Sequence, residues 1–165
     1  MKVMVIGGGG REHAIVRALK KSPRIDALYA LPGNGGMAAD AVCVPVKTSD
    51  IEGVVAFGRE HGIDFAVVAP DDPLVMGMVD ALEAAGIRCF GPNRAAAVIE
   101  GSKAFAKDLM QRYHIPTAAY AVFTEQAAAE DYVRRVGAPV VVKADGLALG
   151  KGVTVAQTVD EALQA

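Results

Sequence analysis

The chain has 165 residues, 52% hydrophobic, 22% charged and 5% aromatic. That length holds one domain, or one and part of another, and it buries enough apolar surface to need no disulfide or metal staple, which excludes disorder and the small-scaffold classes. Seventeen Lys plus Arg against 19 Asp plus Glu leave a net charge of -2, no electrostatic footprint for nucleic acid or an acidic membrane, so any anion must be held locally.

Taken in chain order, residues 3–6 form a first β-branched strand that runs into Gly7-Gly-Gly-Gly10. Ala14, Ile15, Ala18 and Leu19 then share one face of a helix, and Pro23 lies beyond its end. Strands are expected over 27–31 and 41–46, the latter placed at an edge or strand end by Pro45. Asp50 caps a helix ending near Gly62, and the apolar run 65–69 reads as a central strand covered on both faces. A helix over 74–86 and a strand over 87–90 follow. Asn93 and Ser102 cap two short helices broken at Gly101, and His114-Ile-Pro-Thr117 leads into a second unit. That unit reads as a strand (119–123), a helix (125–136), a strand (140–144), a glycine loop, a strand (153–156) and a helix opening on the capping box Thr158-x-x-Glu161. The last helix has almost no body, so the chain is expected to be the amino-terminal portion of a longer polypeptide. The alternation is α/β, a Rossmann-like and mostly parallel sheet flanked by helices, followed by an incomplete α+β unit.

Cys43 and Cys89 each lie in an apolar run with no Cys or His at ligand spacing, which reads as two buried reduced thiols in a cytoplasmic protein. No run reaches the length of a signal-peptide core or a membrane span. His13, His61 and His114 are spread over three elements and are assigned to neither catalysis nor metal.

Two glycine loops carry the chemistry. In Gly7-Gly8-Gly9-Gly10-Arg11-Glu12-His13 a strand meets a helix start, whose backbone amides form a phosphate site to which Arg11 adds a charge-assisted contact. The alternative is a turn that merely needs glycine. A dinucleotide fingerprint fails in register: from Gly7 or Gly8 its last position falls on Glu12 or His13. The pocket is therefore read as one for a smaller phosphorylated ligand. Gly33 and Asn34, and Pro70-Asp71-Asp72-Pro73, stand at the carboxyl ends of neighbouring strands; Asp71 and Asp72 meet sugar hydroxyls or an amine, or else cap a helix.

The second loop is Lys143-Ala-Asp145-Gly146-Leu-Ala-Leu149-Gly150-Lys151-Gly152. It is no P-loop, since three residues separate Gly146 from Gly150, Gly152 replaces the magnesium-binding hydroxyl, and a strand follows. It reads as a glycine loop closing over nucleotide phosphates. Lys143 is expected as a partly buried ammonium facing phosphate, the alternative being a salt bridge to Asp145. Lys103 reaches the same phosphates or is a solvated helix lysine.

The ordered set Val3-Met-Val-Ile-Gly-Gly-Gly-Gly-Arg-Glu-His-Ala14, Pro32-Gly-Asn34, the stretch 70–77, Phe90-Gly-Pro92, Gly101-Ser-Lys-Ala-Phe-Ala-Lys107, Ile115-Pro-Thr117 and the stretch 142–153 spans the chain. It closely resembles the glycinamide ribonucleotide synthetase (phosphoribosylamine-glycine ligase) family of ATP-grasp enzymes. The resemblance implies an ATP-dependent ligase of de novo purine synthesis that joins glycine to 5-phosphoribosylamine through a glycyl phosphate, with ADP and phosphate released. It assigns 1–102 to a Rossmann-like phosphoribosylamine-binding domain, 103–118 to a helical connection, and 119–165 to the start of the ATP-grasp domain. Gly8, Gly9, Gly10, Arg11, Glu12, Gly33, Asn34 and Asp71 would then bind phosphoribosylamine. Lys103, Lys143, Asp145, Gly146, Gly150, Lys151 and Gly152 would bind ATP. Ligands for Mg2+ (or Mn2+), the glycine site and the catalytic residues are expected outside this chain, which alone is expected to be inactive. The implied partners are small molecules only, with no nucleic acid and no membrane, in a monomer. The chain departs from the family at Asp71, where Glu is usual, and at Leu149, where Ala is usual. The rival readings are another ATP-grasp ligase of purine synthesis, against which the 7–14 motif argues, and a non-catalytic nucleotide-binding module, which leaves Lys143 and Gly150-Lys-Gly152 without a purpose.

Overall fold

Strict alternation along the first apolar run builds two cores at once. In a computed structural model describing residues 1–148 and 151–165, β1 (Lys2–Gly7) sends Val3 and Val5 to one face and Met4 and Ile6 to the other, all buried. It joins β2 (Ala27–Pro32), β3 (Val42–Cys43), β4 (Phe65–Val68) and β5 (Arg88–Phe90) in a parallel sheet of order β3-β2-β1-β4-β5. Val3 and Val5 pack with Val16 of α1 (Gly10–Leu19) and with Leu28, Ala30 and Met37. Met4 and Ile6 pack with Val54 and Phe57 of α2 (Ile51–Glu60), Val68, and Met78, Val79 and Leu82 from beyond β4. The sheet is therefore covered on both faces, as its apolar strands require.

β3 stands at the sheet edge and keeps only two residues of the expected 41–46 run; Pro45 has no amide with which to extend the ladder. Asp50 caps α2 as expected, its carboxylate accepting from the Gly53 amide at 2.9 Å. The single helix expected over 74–86 is two, α3 (Asp71–Met76) and α4 (Met78–Ala84). Gly77 divides them at φ 95°, a left-handed conformation that ends one helix and starts the next. Asn93 opens α5 (Arg94–Gly101) by accepting from Ala96 N at 2.9 Å. Cys43 and Cys89 are free and half-buried rather than fully buried.

The chain divides into two units, Met1–Val98 and Ile99–Ala165. The second contains α6 (Lys103–Arg112), α7 (Gln126–Val136), the antiparallel pair β6 (Val140–Lys143) and β7 (Val153–Ala156), and α8 (Val159–Leu163). Its core is small: Val133, Ala156 and Ala162, with Val140, Val142, Val159 and Leu163 against them. Residues 119–123, expected as a strand, form none; α6 side chains bond Tyr120 and the two residues that precede the segment. Lys107 Nζ donates to Thr117 Oγ1 (2.6 Å) and Ala118 O (3.1 Å), and Tyr120 Oη donates to Asp108 Oδ1 at 2.6 Å. Thr158 caps α8 through Glu161 N at 3.2 Å; Glu161 Oε2 returns to Gln157 N, one residue short of the expected box.

Two outcomes follow from this packing. Ile6→Ala, at a position with no exposure, is expected to cost about 2–5 kcal/mol of stability in chemical denaturation. Burial, then the Glu83 charge, pushes the Cys89 thiol up to about 11. Its thiolate population near neutral pH is then roughly 100-fold below that of an unshifted thiol, and its alkylation rate, followed by mass spectrometry, is expected to fall accordingly.

Candidate functional site

The sheet order places a switch point between β1 and β4, where the chain winds outward through β2 and β3 on one side and through β5 on the other. Ligands of open parallel sheets gather in the crevice beyond the strand carboxyl ends at that point. Residues 7–10 leave β1 there, 33–36 leave β2, and 69–71 leave β4.

Glu12 shapes the first loop from within. It is the third residue of α1 and 4% exposed, and its Oε2 accepts from Gly9 N at 2.7 Å. Its side chain fills the space a Cβ on Gly7 would occupy, and a Cβ on Gly9 would lie 2.7 Å from Oε2. Gly7 also sits at φ 130°. A Cβ on Gly8 would stand 2.7 Å from the Gly33 carbonyl oxygen, a backbone atom that cannot yield. The two loops are bonded where they touch: Gly33 N donates to Gly7 O at 3.1 Å and Asn34 Nδ2 to Gly8 O at 2.9 Å. Asn34 Oδ1 accepts from Gly36 N (2.8 Å) and Met37 N (3.0 Å), so this side chain is occupied in tying loops together.

Arg11 crosses the switch point. Its Nη1 donates to Ala69 O at 3.0 Å and lies 3.6 Å from Asp71 Oδ1, and its Nε stands 3.5 Å from the buried Glu12 Oε1, which accepts no hydrogen bond. Asp71 and Asp72 are the first two residues of α3, with Pro70 at the cap position. Gly8, Gly9, Gly10, Arg11, Glu12, Gly33, Asn34 and Asp71 thus fall in one crevice. The amides that open α1 at Gly10 and Arg11 have no intrahelical partner, and the Arg11 guanidinium is exposed.

In the second unit the glycine loop is bound to α6. Asp145 Oδ1 accepts from the amides of Lys103 (2.6 Å) and Ala104 (3.2 Å), and Oδ2 from Ser102 Oγ (3.0 Å). These bonds, with one from the Gly146 amide, hold the Asp145 carboxyl below its ordinary range, the Ala104 amide acting most strongly and desolvation opposing. Lys103 Nζ donates to Gly146 O at 2.6 Å. Lys143 is exposed, not partly buried, and among the described residues no salt bridge joins it to Asp145. The reason is the pleat: Val140 and Val142 face the small core, which turns Val141 and Lys143 the other way. Lys151 is exposed as well, and Gly150 lies outside the described residues. The Ser102–Asp145 pair was missed by sequence reading, since 43 residues separate the partners and no local pattern links them. Among the described residues no group of three or more His, Cys, Asp or Glu is placed to hold a metal ion, and no helix is long and apolar enough to cross a membrane.

Comparison with known proteins agrees with this division. Residues 1–100 match the phosphoribosylglycinamide synthetase N domain, and 101–165 match the ATP-grasp (A) domain of the same family. The chain is 58% identical over 165 residues to a phosphoribosylamine-glycine ligase of Agrobacterium fabrum and 56% identical to one of Rhizobium meliloti, covering 100% of this chain and 39% of each relative. It therefore spans about two fifths of the length of those relatives. A crystal structure of phosphoribosylamine-glycine ligase from Thermotoga maritima superposes with a TM-score of 0.79 at 28% identity, over 99% of this chain and 38% of that one. N5-carboxyaminoimidazole ribonucleotide synthetase in its ADP complex superposes with a TM-score of 0.75 at 18% identity, over 99% and 43% of the two chains, a likeness of fold alone.

Glu12→Ala is expected to cost about 1–3 kcal/mol in chemical denaturation by stranding the Gly9 amide, while Glu12→Gln, which keeps an acceptor, recovers most of it. Asp145 carries a depressed folded-state pKa, so its contribution is present above the ordinary aspartate value of ~3.9 and is lost as pH falls through the lower, folded value. Carbon-detected NMR should place its titration midpoint below ~3.9; a midpoint at or above that value would contradict the bonding described.

Proposed function

The chain belongs to the phosphoribosylglycinamide synthetase family, and on that premise we propose that it is the amino-terminal part of a ligase joining glycine to 5-phosphoribosylamine at the expense of ATP. The observation that carries the reading is the match of both family domains, in order, over 1–100 and 101–165. A carboxylate is a poor electrophile until it bears a good leaving group. In the proposed reaction a glycine carboxylate oxygen attacks the γ-phosphorus of ATP and ADP departs. The amine of phosphoribosylamine then attacks the acyl carbon of glycyl phosphate, losing a proton as phosphate leaves.

The residues of this chain supply binding and orientation. A sugar monophosphate suits the α1 amides at Gly10 and Arg11 together with the Arg11 guanidinium, because both are sources of positive charge in a chain without a basic surface. Gly8, Gly9, Gly33 and Asn34 hold the rim through their loop contacts, and Asp71 offers an acceptor to the amine or the ribose hydroxyls. In the second unit Lys103, Lys143 and Lys151 provide cations for ATP phosphates, beside Gly146, Gly150 and Gly152 of the loop. Cations at those oxygens stabilise a transferring phosphoryl group. A divalent cation accompanies ATP in this reading. The described residues offer it no cluster of three or more ligating side chains. The protein is read as cytoplasmic and monomeric.

The reading is tested by product analysis on a longer polypeptide that begins with this chain: ADP formation should depend on glycine, and its continuous turnover, with glycinamide ribonucleotide as product, on glycine and phosphoribosylamine together. The 165-residue chain alone should give none. Arg11→Ala in the longer polypeptide is expected to raise the KM for phosphoribosylamine about tenfold or more, the loss of one charge-assisted contact, with the KM for ATP unchanged. A defect confined to ATP would assign the first loop to the wrong ligand.

A further inference from the structure

We propose that Asp145 is a positioning residue, a latch whose carboxylate fastens the base of the second glycine loop to the first turn of α6, rather than a group that touches ATP. The proposal rests on the reading of that loop as the cover over ATP phosphates.

The start of α6 is fully used. Of its first four amides, Lys103 and Ala104 donate to Asp145, Phe105 donates to Ser102 Oγ at 3.1 Å, and Ala106 donates to Ser102 O at 3.0 Å. No amide remains there for an anionic ligand, although a helix start is where such a ligand would be sought. A carboxylate facing phosphate would repel it, whereas one turned onto backbone amides and a hydroxyl is satisfied and fixed in place. The loop is tied a second time at its root, where Ala144 N donates to Gly152 O at 2.8 Å and a Cβ on Gly152 would crowd those of Ala148 (2.8 Å) and Ala144 (3.0 Å). Lys103 adds the third tie, through Gly146 O. An ammonium carries three donors, so Lys103 can keep that bond and still present donors to a phosphate. Asp145 thereby sets where both Lys103 and the loop stand.

Amide exchange of the full chain without nucleotide tests the latch. Asp145→Ala should speed exchange at Lys103, Ala104 and the loop amides Gly146 and Lys151 about tenfold or more, with β1 and β4 amides unchanged; Asp145→Asn, which keeps one acceptor, should fall between. Equal loop exchange in wild type and Asp145→Ala would overturn the proposal. If that variant also releases α7 and α8, the wild-type acid titration decides. Loop exchange, corrected for its intrinsic pH dependence, should rise with the Asp145 titration midpoint, and a loop indifferent to that titration counts against the latch. Added ATP is a separate arm: failure of ATP to protect the loop in the longer polypeptide would refute the cover reading while leaving the latch result standing.

Discussion

The turn between β1 and α1 has no room for side chains, and the candidate crevice depends on that. Gly7 and Gly9 give way to the Glu12 side chain and Gly8 to the Gly33 carbonyl. With the glycines in place the β1 and β2 loops meet backbone to backbone, bonded through Gly33 N and Asn34 Nδ2. The parallel order β3-β2-β1-β4-β5 then sets this meeting point beside the loop after β4, and Arg11 spans the gap to Ala69 O. Any larger residue at Gly8 would have to push apart two backbones that are themselves extensions of central strands.

Both glycine loops carry a carboxylate that accepts from backbone amides, the buried Glu12 in the first and the exposed Asp145 in the second. Glu12 takes only the Gly9 amide, so it leaves the first amides of α1 without a side-chain acceptor. Asp145 and Ser102 between them occupy the start of α6. In the proposed reading, a chain of net charge -2 offers backbone amides at one loop and lysine ammonium groups at the other.

What was legible in the sequence was what is local. The β-branched run 3–6 marked β1, and Asp50, Asn93, Ser102 and Thr158 cap helices within three residues of themselves. The crevice was legible too, because glycines after a buried strand are a short-range signal. Non-local facts were not. Gly77 breaks a run that is otherwise periodic, through a backbone angle rather than a change in hydrophobicity. Residues 119–123 have the composition of a strand but find no ladder, and Tyr120 among them bonds Asp108 of α6.

Lys143 shows why an apolar run misleads when the sheet is small. In β4 every apolar residue finds a covering helix, because the sheet has five strands and two packed faces. The pair β6–β7 has two strands and one packed face, so the same kind of run leaves Val141, Val153 and Val155 exposed alongside Lys143. Burial follows from what stands against a strand, and composition alone does not carry that. The consequence is chemical. An exposed ammonium has paid no desolvation cost and keeps its reach, whereas Lys103 is already committed to Gly146 O. The two lysines therefore differ in order: Lys103 is held in register with the loop by its bond to Gly146 O, and Lys143 stands exposed on the uncovered face of β6.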